Sequence, residues 1–129
     1  MSDKKPLRLY AVFSPTALKA MKGIRGKLAA QAGHAYLHAW WDAFDRHPET
    51  ALAYRSGPRA FKIALVAPDD ADAAWFESLA ATYRPLCGVT TVVDAGFTVF
   101  EGPTLTCVGI GPISPDDCES TLNGLRLLT

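Results

Sequence analysis

The chain has 129 residues, 49% hydrophobic and 20% charged, enough for one compact domain over 1–129 whose core needs no metal or disulfide staple. Thirteen basic side chains balance thirteen acidic ones, which excludes a polycation and a disordered acidic tail. The balance is uneven: residues 1–62 hold eleven Lys/Arg against four Asp/Glu, and residues 63–129 hold two against nine. The first half can therefore meet a polyanion such as RNA phosphate if its charges converge on one face.

Leu7–Phe13 is short, aromatic and β-branched, the pattern of a strand, and Ser14-Pro15 supplies an N-cap and a first-turn proline for a short helix to about Met21. The basic loop Lys22-Gly23-Ile24-Arg25-Gly26 precedes the longest helical pattern, from about Lys27 to Asp45, which Arg46-His47-Pro48 stops. Another short helix closes at Gly57-Pro58, and Phe61–Ala67 forms a second strand. Pro68-Asp69-Asp70 is expected to cap a helix running to about Tyr83. Val89–Val93 and Thr104–Ile110 are β-branched and predict a third and fourth strand, and Ser114-Pro115-Asp116-Asp117 starts a last helix that ends near Asn123-Gly124. Alternating strands and helices predict an α/β layered domain with a mostly parallel four-stranded sheet.

Cys87, Cys107 and Cys118 are widely spaced and form no CxxC or Cys/His ligand pattern, so a reducing, cytoplasmic setting is expected, with no metal. The segment Met1–Pro6 is polar and the apolar run after it is too short to span or enter a membrane. Trp40, Trp41 and Trp75 supply enough large apolar surface for a homodimer.

Two groups of residues could carry chemistry. On the long helix, Lys27, Gln31, His34, His38 and Asp45 fall within a wedge of roughly 60° at about 100° per residue, while most of the other positions are apolar or small. Lys27 and Gln31 open that stripe near the helix N-terminus, where free N–H groups and the dipole favour a phosphate or a developing oxyanion. The bland alternative is a solvated stripe with His34 as a boundary histidine. The second group, Asp94-Ala95-Gly96-Phe97-Thr98, follows the third strand, where α/β sheets place their ligand crevices; it is equally the composition of a turn. Thr106 and Gly109-Ile110-Gly111-Pro112 lie on and after the fourth strand, and no phosphate-loop context accompanies those glycines.

At these residues the sequence resembles the type-two peptidyl-tRNA hydrolases. Gly26-Lys27-Leu28-Ala29-Ala30-Gln31-Ala32-Gly33-His34-Ala35 is similar to the family's GK-x-AAQ-x-x-HA block, and Asp94-Ala95-Gly96-x-Thr98 with Thr106-Cys107-Val108-Gly109-Ile110-Gly111-Pro112 is similar to its DAG-x-T…T-V-x-GIGP block. The resemblance implies a three-layer α/β/α domain with a mixed four-stranded sheet and hydrolysis of the ester between a peptide and the terminal ribose of tRNA, without metal or organic cofactor. It carries catalytic roles to Lys27, Asp94, Thr98 and Thr106, with His34 added by the helical spacing. Asp94 would orient or deprotonate a water, Thr98 and Thr106 would hold that water or the substrate, and Lys27 would meet the oxyanion or terminal phosphate. Lys22, Arg25, Gln31, Gly96, Arg55 and Arg59 would contact the tRNA. The chain departs from the family at Phe97 and Val99, where Arg and Gln are usual. A non-catalytic tRNA- or ligand-binding module, or an esterase or amidase of another small substrate, are the alternatives.

Overall fold

The computed structural model describes residues 4–129, so the first three residues of the polar Met1–Pro6 segment lie outside it. The central strand is β1 (Arg8–Phe13), buried along nearly its whole length. It pairs in parallel with β2 (Phe61–Val66) and antiparallel with β4 (Thr104–Ile113). β4 in turn pairs antiparallel with β3 (Val89–Asp94), and β2 with the two-residue β5 (Arg126–Leu127), giving the order β3-β4-β1-β2-β5. The expected mixed α/β sheet is present, but it has five strands and only one parallel pair. No helix separates β3 from β4, so the chain returns directly through residues 95–103 and the two strands must run antiparallel.

Three helices cover one face: α1 (Pro15–Ala20), α2 (Arg25–Arg46) and α3 (Pro48–Ser56). β1 alternates between the layers: Ala11 and Phe13 pack with Ala17 and Ala35 of α1 and α2, and Tyr10 and Val12 pack on the opposite face. There they meet Phe76, Leu79 and Tyr83 of α4 (Ala73–Tyr83) and Leu122 of α5 (Ser120–Asn123). The three-layer arrangement is thus the expected one. Ser14 ends β1 and begins α1, its hydroxyl accepting from Ala17 N at 3.3 Å. The cap of α4 is Asp72 rather than Asp69 or Asp70, accepting from Trp75 N at 2.9 Å. The last helix divides into a 3₁₀ turn, Pro115–Asp117, and α5, because Cys118 and Glu119 are extended.

What sets the site is the closeness of α2 to the sheet. Ala35, Ala39 and Ala43 are fully buried on its inner face. A Cβ on Gly109 would lie 2.2 Å from the carbonyl oxygen of Ala35, and one on Gly88 would lie 2.1 Å from that of Ala39. Alanines over glycines bring the helix nearer than any larger pair permits. The far end of α2 is tied to β3 by Asp42, whose carboxylate accepts from Val89 N at 2.8 Å and from Arg46 Nε at 2.9 Å. Arg46 also donates to the carbonyls of Arg84 and Cys87 at 2.7 and 3.0 Å. α2 therefore runs antiparallel to β3, its first turns lying over the strand's last residues.

Trp40 and Trp75 are partly buried within this molecule, Trp40 donating to the carbonyl of Ala51 at 3.0 Å, so Trp41 is the most exposed of the three tryptophans. Among the described residues no helix is long and apolar enough to cross a membrane.

Candidate active site

The close approach of α2 lowers Lys27 and Gln31 onto the end of β3. Lys27 Nζ forms an ion pair with Asp94 Oδ2, the lysine side chain 21% exposed and the aspartate side chain 7%. Gln31, itself buried, donates from Nε2 to the same carboxylate oxygen at 3.3 Å. Its other amide atom, Oε1, accepts from the Thr106 hydroxyl at 2.6 Å, which fixes the amide's orientation. The other carboxylate oxygen of Asp94, Oδ1, accepts from Gly96 N at 2.8 Å. Gly96 has φ +85°, so the tight turn that returns this N–H to the carboxylate uses a conformation open to glycine. The result is a directed chain: Thr106 donates to Gln31, Gln31 to Asp94, and Lys27 and Gly96 close on the same carboxylate.

The Lys27 ammonium beside Asp94, seconded by the Gly96 N–H, holds that carboxyl below the usual carboxylate range against the opposing effect of burial, and His34 is near enough to add to the lowering. Asp94 is therefore a fixed negative charge at neutral pH. Lys27 has three donors and its side chain is partly exposed, so pairing with Asp94 leaves it donors for a ligand.

The remaining candidate residues divide by position. His34 is exposed one turn beyond Gln31; its ring lies 5.5 Å from that of His38, which stacks on Trp41 at 5.1 Å. Lys22 and Arg25 are exposed at the head of α2, on the same end of the molecule as the Lys27–Asp94 pair. Thr98 lies in the exposed 95–103 loop, and its hydroxyl has no hydrogen-bond partner among the described residues. Thr106 is fully buried. Expected to hold the water or the substrate, it instead donates its hydroxyl to Gln31 within the core.

Arg55 and Arg59 do not join this group. Arg59 precedes β2, whose first residue pairs with Arg8, at the end of the sheet opposite Asp94, and packs over the Phe61 ring. Arg55 lines a wide apolar groove of about 810 Å³ on the other flank of α2, with Ala32, Tyr36, Trp40 and Tyr54. That groove contains no carboxylate, histidine or cysteine, so size alone does not mark the chemistry. Among the described residues no three His, Cys, Asp or Glu side chains group as a metal centre requires.

Sequence reasoning assigned Gln31 and Gly96 to substrate contact, whereas here they hold Asp94. It did not single out Gly88 or Gly102; the one signal available was a lone glycine bordering a strand.

The comparison with known proteins spans both sequence blocks that form this cluster. The family model described as peptidyl-tRNA hydrolase PTH2 matches residues 17–128. The chain belongs to the peptidyl-tRNA hydrolase PTH2 family. It is similar to the peptidyl-tRNA hydrolase of Methanopyrus kandleri, with 34% identity over 108 residues covering 84% of this chain and 90% of the relative. The Methanocaldococcus jannaschii peptidyl-tRNA hydrolase is 30% identical over 105 residues, covering 81% and 88%. That of Haloquadratum walsbyi is 33% identical over 103 residues, covering 80% and 87%. All of the Lys27, Gln31, Asp94 and Thr106 positions fall inside the family match.

Proposed function

We propose that the Lys27–Asp94 pair is where this chain, a peptidyl-tRNA hydrolase by family, cleaves the ester joining a peptide to the terminal ribose of tRNA. The observation that carries this reading is the Lys27 ammonium held by a buried carboxylate that also accepts from Gln31 and Gly96 N, on a side chain that is still partly exposed. An ester carbonyl placed at that ammonium would have its developing oxyanion stabilised without reorganisation of the protein.

A carboxylate whose proton affinity is lowered is a weak general base near neutral pH, since proton transfer is best when the catalytic pKa lies near the working pH. Asp94 therefore serves by orienting Lys27 and an attacking water rather than by taking a proton. In the reaction the water oxygen bonds to the ester carbon and the bond to the ribose oxygen breaks. One water proton ends on the ribose hydroxyl, and a second is lost as the new acid ionises. In this reading His34, exposed on the next turn of the same helix face, relays the first. Thr98, on the loop beside Gly96, binds the water or the ribose in this reading, while Gln31 donates to the Asp94 carboxylate and Thr106 orients Gln31. Lys22 and Arg25 at the head of α2 meet backbone phosphates of the acceptor end. A cytoplasmic location, where such tRNAs arise, accords with this activity.

The test is release of the amino acid from N-blocked aminoacyl-tRNA. Wild-type protein is expected to release it, and Lys27→Ala to do so about 10²- to 10³-fold more slowly, the usual effect of removing an oxyanion donor. Binding of the wild-type protein to tRNA without any release would refute the reading and leave a binding module.

A further inference from the structure

The loop between β3 and β4 is folded upon itself. Gly96 and Gly102 pinch its neck, a Cβ on Gly96 falling 2.5 Å from the Gly102 backbone. Beyond the neck, Val99 and Phe100 turn inward and pack against the cluster that includes Phe13, Met21 and Val92. Phe97 does the opposite. It is 91% exposed, the most of any large apolar side chain among the described residues. A single exposed apolar residue is ordinary on a protein surface. What distinguishes this one is its place, adjacent to the glycine whose N–H holds Asp94, on a loop anchored by its two other large apolar side chains.

We propose that Phe97 is the stacking platform for the 3′-terminal adenine of the substrate tRNA; the proposal rests on the ester-cleavage reading above. The ribose that bears the scissile ester also bears that base, so an ester seated at Lys27 places the adenine one sugar away, and Phe97 directly follows the glycine bonded to the carboxylate that Lys27 pairs with. The base is the same in every substrate, whereas the acyl side chain varies, so a fixed aromatic ring serves every turnover only against the base. Stacking needs no hydrogen-bond partner on the ring and suits a residue with none to offer. A phenyl ring carries no charge, so this contact is insensitive to salt, unlike the phosphate contacts of Lys22 and Arg25.

The experiment pairs two readouts. The first is steady-state hydrolysis of N-blocked aminoacyl-tRNA by wild type, Phe97→Ala and Phe97→Trp. The second is the fluorescence of a ribotrinucleotide of two cytidines and a terminal 2-aminopurine as each protein is added. Phe97→Ala is expected to raise KM roughly 5- to 50-fold with kcat little changed, and to abolish the quenching that wild type produces, while Phe97→Trp restores both. Unchanged KM and unchanged quenching in Phe97→Ala overturn the proposal. So does a KM effect confined to bulky acyl groups with quenching intact, which assigns the ring to the peptide. Quenching by a wild-type protein that never cleaves the ester would instead sink the cleavage reading and leave the stacking contact standing.

Discussion

At the scale of single residues, the site is a sequence of donors converging on one carboxylate, and each link has its own consequence. Thr106 is buried and its hydroxyl orients the Gln31 amide. Thr106→Val keeps the shape but leaves Gln31 Oε1 buried without a donor, a loss of about 1–3 kcal/mol. We expect that loss in urea unfolding together with a fall in kcat and little change in KM; a KM effect with kcat intact would mean that Thr106 reaches the substrate. Asp94 has its own pH signature. Its carboxyl is held below the usual range in the fold by Lys27 and the Gly96 N–H, so its contribution to stability is present above the unfolded value and is lost as pH falls through the folded one. The stability difference between wild type and Asp94→Asn should accordingly shrink below about pH 4, as compared by denaturant midpoints at pH 7 and in acid. The Lys27–Asp94 pairing was legible because both residues stand in blocks of familiar pattern. The burial of Thr106 was not, because β4 is covered on both faces and alternation then carries no information about which residues face a crevice.

At the scale of elements, the site depends on how α2 lies on the sheet. Gly109→Ala would drive a methyl into the Ala35 carbonyl, and a backbone atom cannot swing aside as a side chain does. The helix must lift, carrying Lys27 and Gln31 with it, so we expect a loss of about 1–3 kcal/mol in thermal unfolding and a larger fractional loss of hydrolysis than of stability. Asp42→Ala removes the tie at the other end of α2, including a charged hydrogen bond to Val89 N, and should cost about 1.5–3 kcal/mol while leaving kcat much less affected. The long helix and the four principal strands could be read from periodicity and caps, and the three layers from the family resemblance. Strand direction was read too far from the βα alternation: no helix lies between β3 and β4, so that pair is antiparallel, and the order that sets β1 beside β4 joins strands far apart in the chain. β5 was invisible because two residues, Arg126 and Leu127, carry no alternation. The α4 cap was misplaced because three aspartates precede that helix and only geometry selects Asp72.

At the scale of the whole molecule, the charge asymmetry of the sequence resolves into two ends. Lys22 and Arg25 share an end with Asp94, while Arg59 stands at the other. Phosphate contacts should therefore concentrate at the head of α2. The double variant Lys22→Ala/Arg25→Ala is expected to lower the dependence of log KM on log salt by about 1–2, and Arg59→Ala to leave it unchanged. Equal effects from the two would place the tRNA across the sheet instead. The sum of charges along the chain could not distinguish these outcomes, because it says nothing of which end of a strand a residue reaches.

The central claim is that Lys27 and Asp94 act as one unit on the ester. Single-turnover hydrolysis of N-blocked aminoacyl-tRNA by wild type, Lys27→Ala, Asp94→Asn and the double variant tests it most directly. The account predicts that each single change slows the chemical step by about 10²-fold or more and that the double variant is scarcely slower than the worse single one, as for residues that work together. Losses that multiply, or a single variant that cleaves at the wild-type rate, would contradict it.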